Sequence, residues 1–363
     1  MTQPPRVEND EIGHMQTGVD HSSQSRATVI TRIPRTAVLC CISLFALSCN
    51  SSKSAPVSGE PPPTPPTMAQ AAAPISNAEP TGPAMHIDPA RAWQYTKEIV
   101  AFGPRWDGSK GQERLGAYLH SKLKNDFVEE DAFTADTPAG KLPMRNIIAK
   151  FQGSKDGVIV LASHIDTNYP LRHTNYVGAN DGASSTALLL AIADQLRGKK
   201  LDGFSVWLAF LDGEEAVDHW TNTDSVYGSR HLAAKWQKDG SIKNIKAFLL
   251  ADMIGDKDLD ILYDANSTPW LEDVVLHAAT RLGYQSHFFA TSSGMEDDHG
   301  PFKDAGVPVA DLIDFNYGYN KAYWHTTEDT LDKLSPQSLQ ITGDVILETI
   351  RLLNARPADP GAK

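Results

Sequence analysis

The chain has 363 residues, of which 41% are hydrophobic and 21% charged, with a formal net charge of -12 at pH 7. This composition supports the large core of an α/β enzyme. The acidic balance, without a long Lys/Arg cluster, excludes a nucleic-acid partner, because binding a polyanion needs a clustered basic surface. All three cysteines precede residue 50, so a metal site in the body of the protein must use histidine and carboxylate ligands.

Residues 1–49 have the pattern of a signal peptide. Arg26, Arg32 and Arg35 precede the apolar run 37–47, which is too short to span a bilayer comfortably and ends at Ser48-Cys49. A cysteine after a small residue and before polar residues also resembles a bacterial lipoprotein cleavage site. We therefore predict an exported protein that is secreted, periplasmic or lipid-anchored in the bacterial cell envelope. Its membrane contact would be limited to a possible lipid anchor at Cys49.

The next segment, residues 50–85, is dense in Pro, Ala and Ser and lacks the periodic apolar pattern that a core needs. Such composition is typical of a disordered tether. From residue 86 to residue 356 the pattern becomes globular, and we predict one catalytic domain there. Residues 357–363 are expected to form a disordered tail.

Strands and helices alternate through the globular region. Apolar periodicity predicts helices over 90–102 and 111–123, strands over 146–151 and 157–162, a helix over 183–196, a strand over 204–211, a helix over 229–236, a strand over 247–250, a helix over 270–282, a strand over 307–312 and a helix over 335–354. This alternation predicts a mostly parallel central sheet covered by helices on both faces. Functional loops in such sheets gather at the carboxyl ends of the strands.

Side chains that bind metals follow several of the predicted strands or lie in Gly-rich turns near them. Each one alone has an ordinary explanation as a helix cap, a turn residue or a solvated group. Their joint placement favours a catalytic zinc, which uses three protein ligands and keeps one position open. The candidate ligands are His164, Asp166, Asp181, Glu215, Asp252 and His325.

Two adjacent glutamates, Glu214 and Glu215, follow the strand predicted over 204–211. Neighbouring side chains in an extended segment point to opposite sides. One glutamate is therefore able to bind metal while the other faces substrate as a proton carrier. We expect Glu215 to be the ligand and Glu214 the general acid and base.

The order His-x-Asp, Gly-x-x-Asp, Glu-Glu, Asp, His resembles the zinc-dependent aminopeptidase-like family. Within that family the chain looks most similar to the animal-type glutaminyl-peptide cyclotransferases (glutaminyl cyclases). The specific stretches are 212–216 continuing into 224–232, Glu-Asp-Asp-His-Gly-Pro-Phe at 296–302, and Trp324-His325-Thr326. The resemblance implies a three-layer, mixed α/β, aminopeptidase-like fold in a single domain.

The resemblance also implies a reaction and a set of roles. One Zn²⁺ would be held by Asp181, Glu215 and His325, and N-terminal glutamine would be converted to pyroglutamate with release of ammonia. Glu214 would carry the proton. The remaining implied site residues are Asp252 and Asp297, which would form an acidic cluster with Glu214, and Trp220, Trp324 and Glu296, which would contact substrate. The expected partners are peptide or protein N-termini, and the expected state is a monomer.

Two alternatives remain open on the sequence. In a two-zinc aminopeptidase, Asp181 would bridge the metals, His164 and Asp252 would complete a second metal site, and Glu214 would act as general base. Every ligand position of such relatives is present in this chain. A non-enzymatic binding module with the same fold is the other alternative, although such relatives typically lose ligands or the acid/base glutamate.

Overall fold

A computed structural model describes residues 79–356. The predicted signal peptide, Cys49, most of the predicted tether and the C-terminal tail lie outside the described residues, so those assignments stay predictions. The chain packs against the rest of the domain already at His86 and Ile87. The His86 ring lies 2.7 Å from the Asp344 carboxylate, and Ile87 is buried. Between residues 79 and 356, no helix is both long enough and apolar enough to cross a membrane.

The central element is a six-stranded mixed sheet. The strands are β1 (Phe127–Thr137), β2 (Gly140–Phe151), β3 (Gly153–His164), β4 (Leu201–Leu211), β5 (Ile245–Asp252), β6 (Ile261–Asp264), β7 (Phe288–Ser293) and β8 (Val309–Ile313). The strand order of the central sheet is β1-β2-β4-β3-β5-β8, while β6 and β7 pair separately. Strand β2 pairs antiparallel with both β1 and β4. The remaining neighbours, β4–β3, β3–β5 and β5–β8, pair parallel. The predicted mixed, mostly parallel sheet is confirmed.

Helices cover both faces of this sheet. They are α1 (Pro89–Val100), α2 (Lys110–Lys122), α3 (Ala183–Leu196), α4 (Tyr227–Asp239), α5 (Pro269–Leu282), α6 (Gly300–Asp304) and α7 (Pro336–Ala355). Alternate residues of each central strand face opposite layers. In β3, Ile159 and Leu161 belong to the core under α1, α3, α5 and α7, whereas Val160 and Ala162 belong to the core under α4. The fold is thus the predicted three-layer arrangement in one domain.

Three of the strands were not predicted. Strand β1 is an edge strand with only two buried residues, Asp131 and Ala135, so it presents no apolar run. Strands β6 and β7 are short, and most of β7 is exposed. Periodicity detects strands that are buried on both faces and long enough to form an apolar run. Strands β1 and β7 lack that burial, and β6 is mostly buried but has only four residues.

The parallel strands end together at one edge of the sheet. His164, the last residue of β3, pairs with Leu211 at the end of β4, and Asp252 of β5 pairs with Ile313 of β8. The segments that follow these strands therefore converge at this edge, as expected for the functional edge of a parallel sheet.

Candidate metal centre

Asp181, Glu215 and His325 meet at this edge of the sheet. The Nε2 atom of His325 lies 3.2 Å from Asp181 Oδ2 and 3.1 Å from Glu215 Oε1. Both carboxylates are buried, and the histidine side chain is 27% exposed. The three predicted ligands, which are far apart in sequence, are thus brought together with one side open.

A second group shares Asp181. The Nε2 atom of His164 lies 3.1 Å from Asp181 Oδ1 and 3.2 Å from Asp252 Oδ1. Each oxygen of Asp181 therefore faces a different histidine, which is the arrangement of a carboxylate that bridges two metal ions. The predicted second-site residue His164 lies where the two-metal alternative requires it.

The geometry of the first group fits a divalent cation. Ligand atoms around a tetrahedral zinc stand roughly 3.3 Å apart, given bonds of about 2.0–2.1 Å. The measured separations around His325 are 3.1 and 3.2 Å. Burial lowers the pKa of His325, but the carboxylates of Glu215 and Asp181 outweigh it and raise the pKa to about 11. The carboxylates thus favour positive charge at this point, which a metal ion would supply.

Residues that the sequence did not single out hold these side chains in place. Asn168 Nδ2 donates to Glu215 Oε2 at 2.8 Å, and the Tyr176 hydroxyl donates to Asp181 Oδ2 at 2.7 Å. Asp329 accepts the backbone N–H groups of Asn180 and Asp181. Such supporting hydrogen bonds orient ligands around a metal. A single amide, hydroxyl or carboxylate group carries no motif of its own, so only the fold identifies these three residues.

Asp166 was a candidate ligand, and its contacts differ from those of the others. Its carboxylate accepts the backbone N–H groups of Glu214 and Glu215, each at 3.1 Å. It also lies 3.7 Å from Nδ1 of His164. Asp166 therefore fixes the backbone of the glutamate pair and is not one of the residues that converge on either group.

The backbone at the site includes two conformations that side chains rarely adopt. Gly182 has φ +82°, and a Cβ there would lie 3.0 Å from both the Asp166 carbonyl oxygen and the His164 ring. A glycine is thus needed where α3 begins. His325 has φ +50°, which costs free energy in a non-glycine residue and is typical of functional sites.

Glu214 contacts a different histidine from the one that Glu215 contacts. Its Oε2 atom is 3.9 Å from Nδ1 of His164, and its side chain is mostly buried. Burial raises the pKa of Glu214 well above its usual range, with Asp297 and Glu215 adding to the rise and His164 opposing it. Burial and Asp252 likewise raise the pKa of Asp297. A protonated carboxyl is therefore favoured in this cluster.

A pocket of about 550 Å³ opens onto these groups, and its wall includes Asp181, Glu214, Glu215, Asp252, Asp297 and His325. Trp324 stacks on the His325 ring with centroids 4.2 Å apart, and Phe315 packs edge-on against the indole. Trp220 is 38% exposed, and its Nε1 donates to Glu296 at 3.2 Å. All the predicted site residues except His164 and Asp166 line this one pocket, and His164 contacts Asp181 and Asp252.

Comparison with known proteins identifies relatives. The sequence model of peptidase family M28 matches residues 146–350. The glutaminyl-peptide cyclotransferase-like protein of Bos taurus is 32% identical over 285 residues, which cover 70% of this chain and 73% of that protein.

Solved structures similar to this chain include one described as a glutaminyl cyclase and one described as an aminopeptidase precursor. A glutaminyl cyclase from an Acidobacteriales bacterium superposes with a TM-score of 0.74 at 52% identity, covering 76% of this chain and 97% of that one. A structure described as a leucine aminopeptidase precursor from Bacteroides thetaiotaomicron superposes with a TM-score of 0.65 at 26% identity, covering 75% and 99%.

Proposed function

The chain belongs to peptidase family M28 and, within it, to the glutaminyl-peptide cyclotransferases, and we propose that it converts N-terminal glutamine of peptides to pyroglutamate with release of ammonia. The observation that carries this proposal is the similarity to a bacterial glutaminyl cyclase over nearly the whole of that enzyme. The intact set of ligands and acidic side chains supports an enzyme over a non-catalytic binding module.

We propose one Zn²⁺ held by Asp181, Glu215 and His325. A bound zinc would supply Lewis-acid polarisation of the γ-carbonyl of the substrate glutamine. Asn168 and Tyr176 would keep the two carboxylates oriented toward the ion through the hydrogen bonds that they donate. The open side of the group faces the pocket, which is where the substrate must enter.

Glu214 is proposed to move the proton. The α-amine nitrogen of the substrate attacks its own γ-carbonyl carbon, so a carbon–nitrogen bond forms within the same residue. Glu214 accepts the proton that the amine gives up and delivers it to the amide nitrogen, whose bond to that carbon then breaks to release ammonia. A carboxyl whose pKa lies near the working pH performs both steps efficiently.

Asp252 and Asp297 are proposed to assist Glu214 by sharing protons with it. Three buried carboxyl groups facing one pocket cannot all ionise easily. Burial raises the pKa of all three carboxyl groups, so the cluster favours a retained proton, which would lie close to the reacting nitrogen atoms.

The aromatic and polar wall is proposed to orient the substrate. Trp324 packs on His325 and limits the width of the pocket beside the metal. Trp220 and Glu296, joined by their hydrogen bond, also line the pocket and would contact the first peptide bond. Holding the amine and the carbonyl at reacting distance contributes directly to the rate.

A two-metal aminopeptidase is the second candidate function. The observation that favours it is the position of Asp181 between His164 and His325, with each oxygen about 3.1–3.2 Å from one ring. In that case Glu214 would activate a water molecule for attack on the peptide bond. We favour the cyclase because the curated relative is named as a cyclotransferase-like protein and the glutaminyl cyclase structure is 52% identical to this chain. The structure described as a leucine aminopeptidase precursor is only 26% identical.

One experiment separates these functions. A zinc-loaded preparation is assayed for ammonia and pyroglutamate formation from a Gln-initiated dipeptide, and in parallel for cleavage of a Leu-anilide. We expect cyclisation without anilide cleavage, together with one zinc per chain by elemental analysis. Anilide cleavage without cyclisation, with two metal ions per chain, would assign the protein to the aminopeptidases.

We further propose an exported, monomeric enzyme that acts on peptide or protein N-termini. The export signal and Cys49 lie outside the described residues, so export rests on the sequence pattern alone. The first residue and the mass of the exported protein test it: a lipid-modified Cys49 would establish the anchor, whereas an unmodified N-terminus would establish secretion. Sedimentation of the purified protein measures its oligomeric state.

A further inference from the structure

The mouth of the substrate pocket is marked by the exposed residues of its wall. Asp181 and Glu215, which belong to the proposed metal group, are buried. The exposed lining residues, which we call the rim, are Pro170, Asp218, Trp220, Gly294 and Glu296. A peptide whose first residue reaches the metal group must leave the pocket past exposed residues. The second residue of the substrate therefore lies near the rim.

The charged side chains of the pocket wall are acidic. Within the part of the chain that the structure describes, no Lys or Arg lines the pocket. The carboxylates of the rim are Asp218 and Glu296, and the other carboxyl groups belong to the proposed metal group or to the proton-sharing cluster. Asp218 Oδ1 already lies 3.0 Å from Nδ1 of His219, whereas Glu296 contacts the uncharged indole of Trp220. Glu296 is thus the rim carboxylate that suits a charged partner on the substrate.

Trp220 and Glu296 together form a surface that suits a cation. The indole is 38% exposed, and its Nε1 donates to Glu296 Oε2 at 3.2 Å. An aromatic face attracts a cation, and a carboxylate pairs with a guanidinium or ammonium group. A carboxylate accepts more than one hydrogen bond, so the contact with the indole leaves Glu296 able to accept from a substrate. A Lys or Arg side chain is able to use both groups at once.

Buried carboxylates fix the backbone on both sides of this pair. On one side, Asp224 accepts the three consecutive backbone N–H groups of residues 217–219 at 2.9–3.0 Å. On the other side, the Met295 N–H donates to Asp264 at 2.8 Å, and the Met295 carbonyl accepts from Asn266 at 2.6 Å. Two anchored segments thus carry the indole and the carboxylate. A surface that is held in place before binding loses less conformational freedom when the ligand arrives.

We propose that Trp220 and Glu296 make this protein selective for substrates whose second residue is Lys or Arg. The cationic side chain lies against the indole and pairs with the Glu296 carboxylate, while the N-terminal glutamine occupies the pocket. The carboxylates of the rim repel an acidic second residue. The kinetic part of this inference rests on the proposed cyclase activity, whereas the binding part does not.

The test varies the charge of the second residue at nearly constant shape. Three C-terminally amidated tripeptides are compared, namely Gln-Arg-Ala, Gln-citrulline-Ala and Gln-Glu-Ala, because citrulline is a neutral analogue of arginine. We expect KM for the Arg peptide to be about fivefold lower than KM for the citrulline peptide, with a smaller change in kcat. The Glu peptide should have the highest KM. Equal KM values for the Arg and citrulline peptides would overturn the proposal.

Variants assign the effect to the two side chains. E296Q keeps an oxygen that is able to accept from the indole but removes the charge, so the ratio of the two KM values should fall below about twofold. W220L removes the indole and should also reduce the ratio. D304N is the matched control, because Asp304 is exposed and lines a neighbouring cavity that shares Trp220 and Glu296, but it does not line the substrate pocket.

The outcomes of these variants are distinct. We expect D304N to keep the full ratio of KM values. A ratio that persists in E296Q, or that falls equally in D304N, would overturn the role of Glu296.

Binding separates this inference from the proposed function. Glu214 handles the proton in both candidate functions, so E214Q should bind peptides without converting them. Isothermal titration calorimetry of zinc-loaded E214Q measures the Kd of each peptide, and we expect the Arg peptide to bind about fivefold more tightly than the citrulline peptide. That result would support the selectivity even if the wild type proves to be an aminopeptidase. Cyclisation by the wild type together with equal Kd values would overturn the selectivity alone.

Discussion

At the scale of single residues, local backbone geometry predicts how the two adjacent glutamates are oriented but not which distant residues contact them. Alternation in an extended segment predicts that Glu214 and Glu215 point to opposite sides, and the structure places Glu215 beside His325 and Glu214 beside His164. The contact between Asn168 and Glu215 has no such local cause, since 47 residues separate them along the chain.

The proton-carrying role of Glu214 predicts the behaviour of E214Q. The amide is nearly isosteric, so the fold and the bound zinc should persist. Loss of general acid–base catalysis should lower kcat by about 10²–10⁴-fold. Steady-state kinetics and elemental analysis of the same sample provide the check. E296Q, which alters a neighbouring carboxylate at the rim, should keep kcat within a few-fold, and near-normal kcat in E214Q would remove its role.

A buried aspartate away from the metal centre predicts a pH dependence of stability. Burial raises the pKa of Asp314 to about 7, with Asp256 and Asp260 adding to the rise and two backbone N–H groups opposing it. An aspartate in an unfolded chain titrates near 3.9. The stabilising contribution is therefore complete below about pH 4 and is lost as the pH rises through about 7.

D314N cannot ionise and should escape that loss. We expect its free energy of unfolding, relative to the wild type, to rise between pH 4 and pH 8 by up to about 4 kcal/mol. Urea unfolding across this pH range provides the measurement. D131N is the control with opposite sign, because Asp131 has a lowered pKa despite its burial, through hydrogen bonds from His231, Asn146 and Lys235. A flat difference for D314N would contradict the prediction.

At the scale of elements, the turn between β3 and α3 needs support from a distant segment. Asp329, buried near the C-terminal part of the domain, accepts the backbone N–H groups of Asn180 and Asp181 and the hydroxyl of Tyr317. The helix over 183–196 was predicted with its observed bounds. Its sequence gave no sign of this anchor, because a carboxylate 148 residues away supplies it.

We expect D329A to weaken metal binding through this turn. Removing the carboxylate leaves two N–H groups and a hydroxyl buried without an acceptor, so Asp181 loses its fixed position. Loss of such support typically costs about 10–100-fold in metal affinity. Competition with a chromogenic chelator measures the zinc Kd. D344A removes a buried aspartate elsewhere and should leave that Kd unchanged, and an unchanged Kd in D329A would argue against the support.

At the scale of the whole molecule, metal binding should be linked to unfolding. The proposed metal-binding residues come from three separate segments, so the metal site exists only in the folded chain. A metal ion that binds only the folded state stabilises that state. Zinc at about 100 times its Kd should raise the free energy of unfolding by about 2.7 kcal/mol. The melting temperature should then rise on the order of 5 °C or more.

The variant E215A provides the check by calorimetry. It removes one proposed ligand, whose Oε1 atom faces His325, and should lose both the zinc and the zinc-dependent rise in melting temperature. Chelator treatment of the wild type should produce the same loss. A full zinc-dependent rise in E215A would exclude Glu215 from the ligand set.

The sequence by itself determined most of the elements that are buried on both faces and the candidate site residues at their ends. Apolar runs specify such strands, and the order of His, Asp and Glu residues specifies the family. Only the tertiary structure decided that Asp181 faces both His164 and His325, and that Asn168, Tyr176 and Asp329 hold the ligands. The physical reason is that these contacts join segments distant along the chain, whose distances are set by sheet register and helix packing rather than by local pattern.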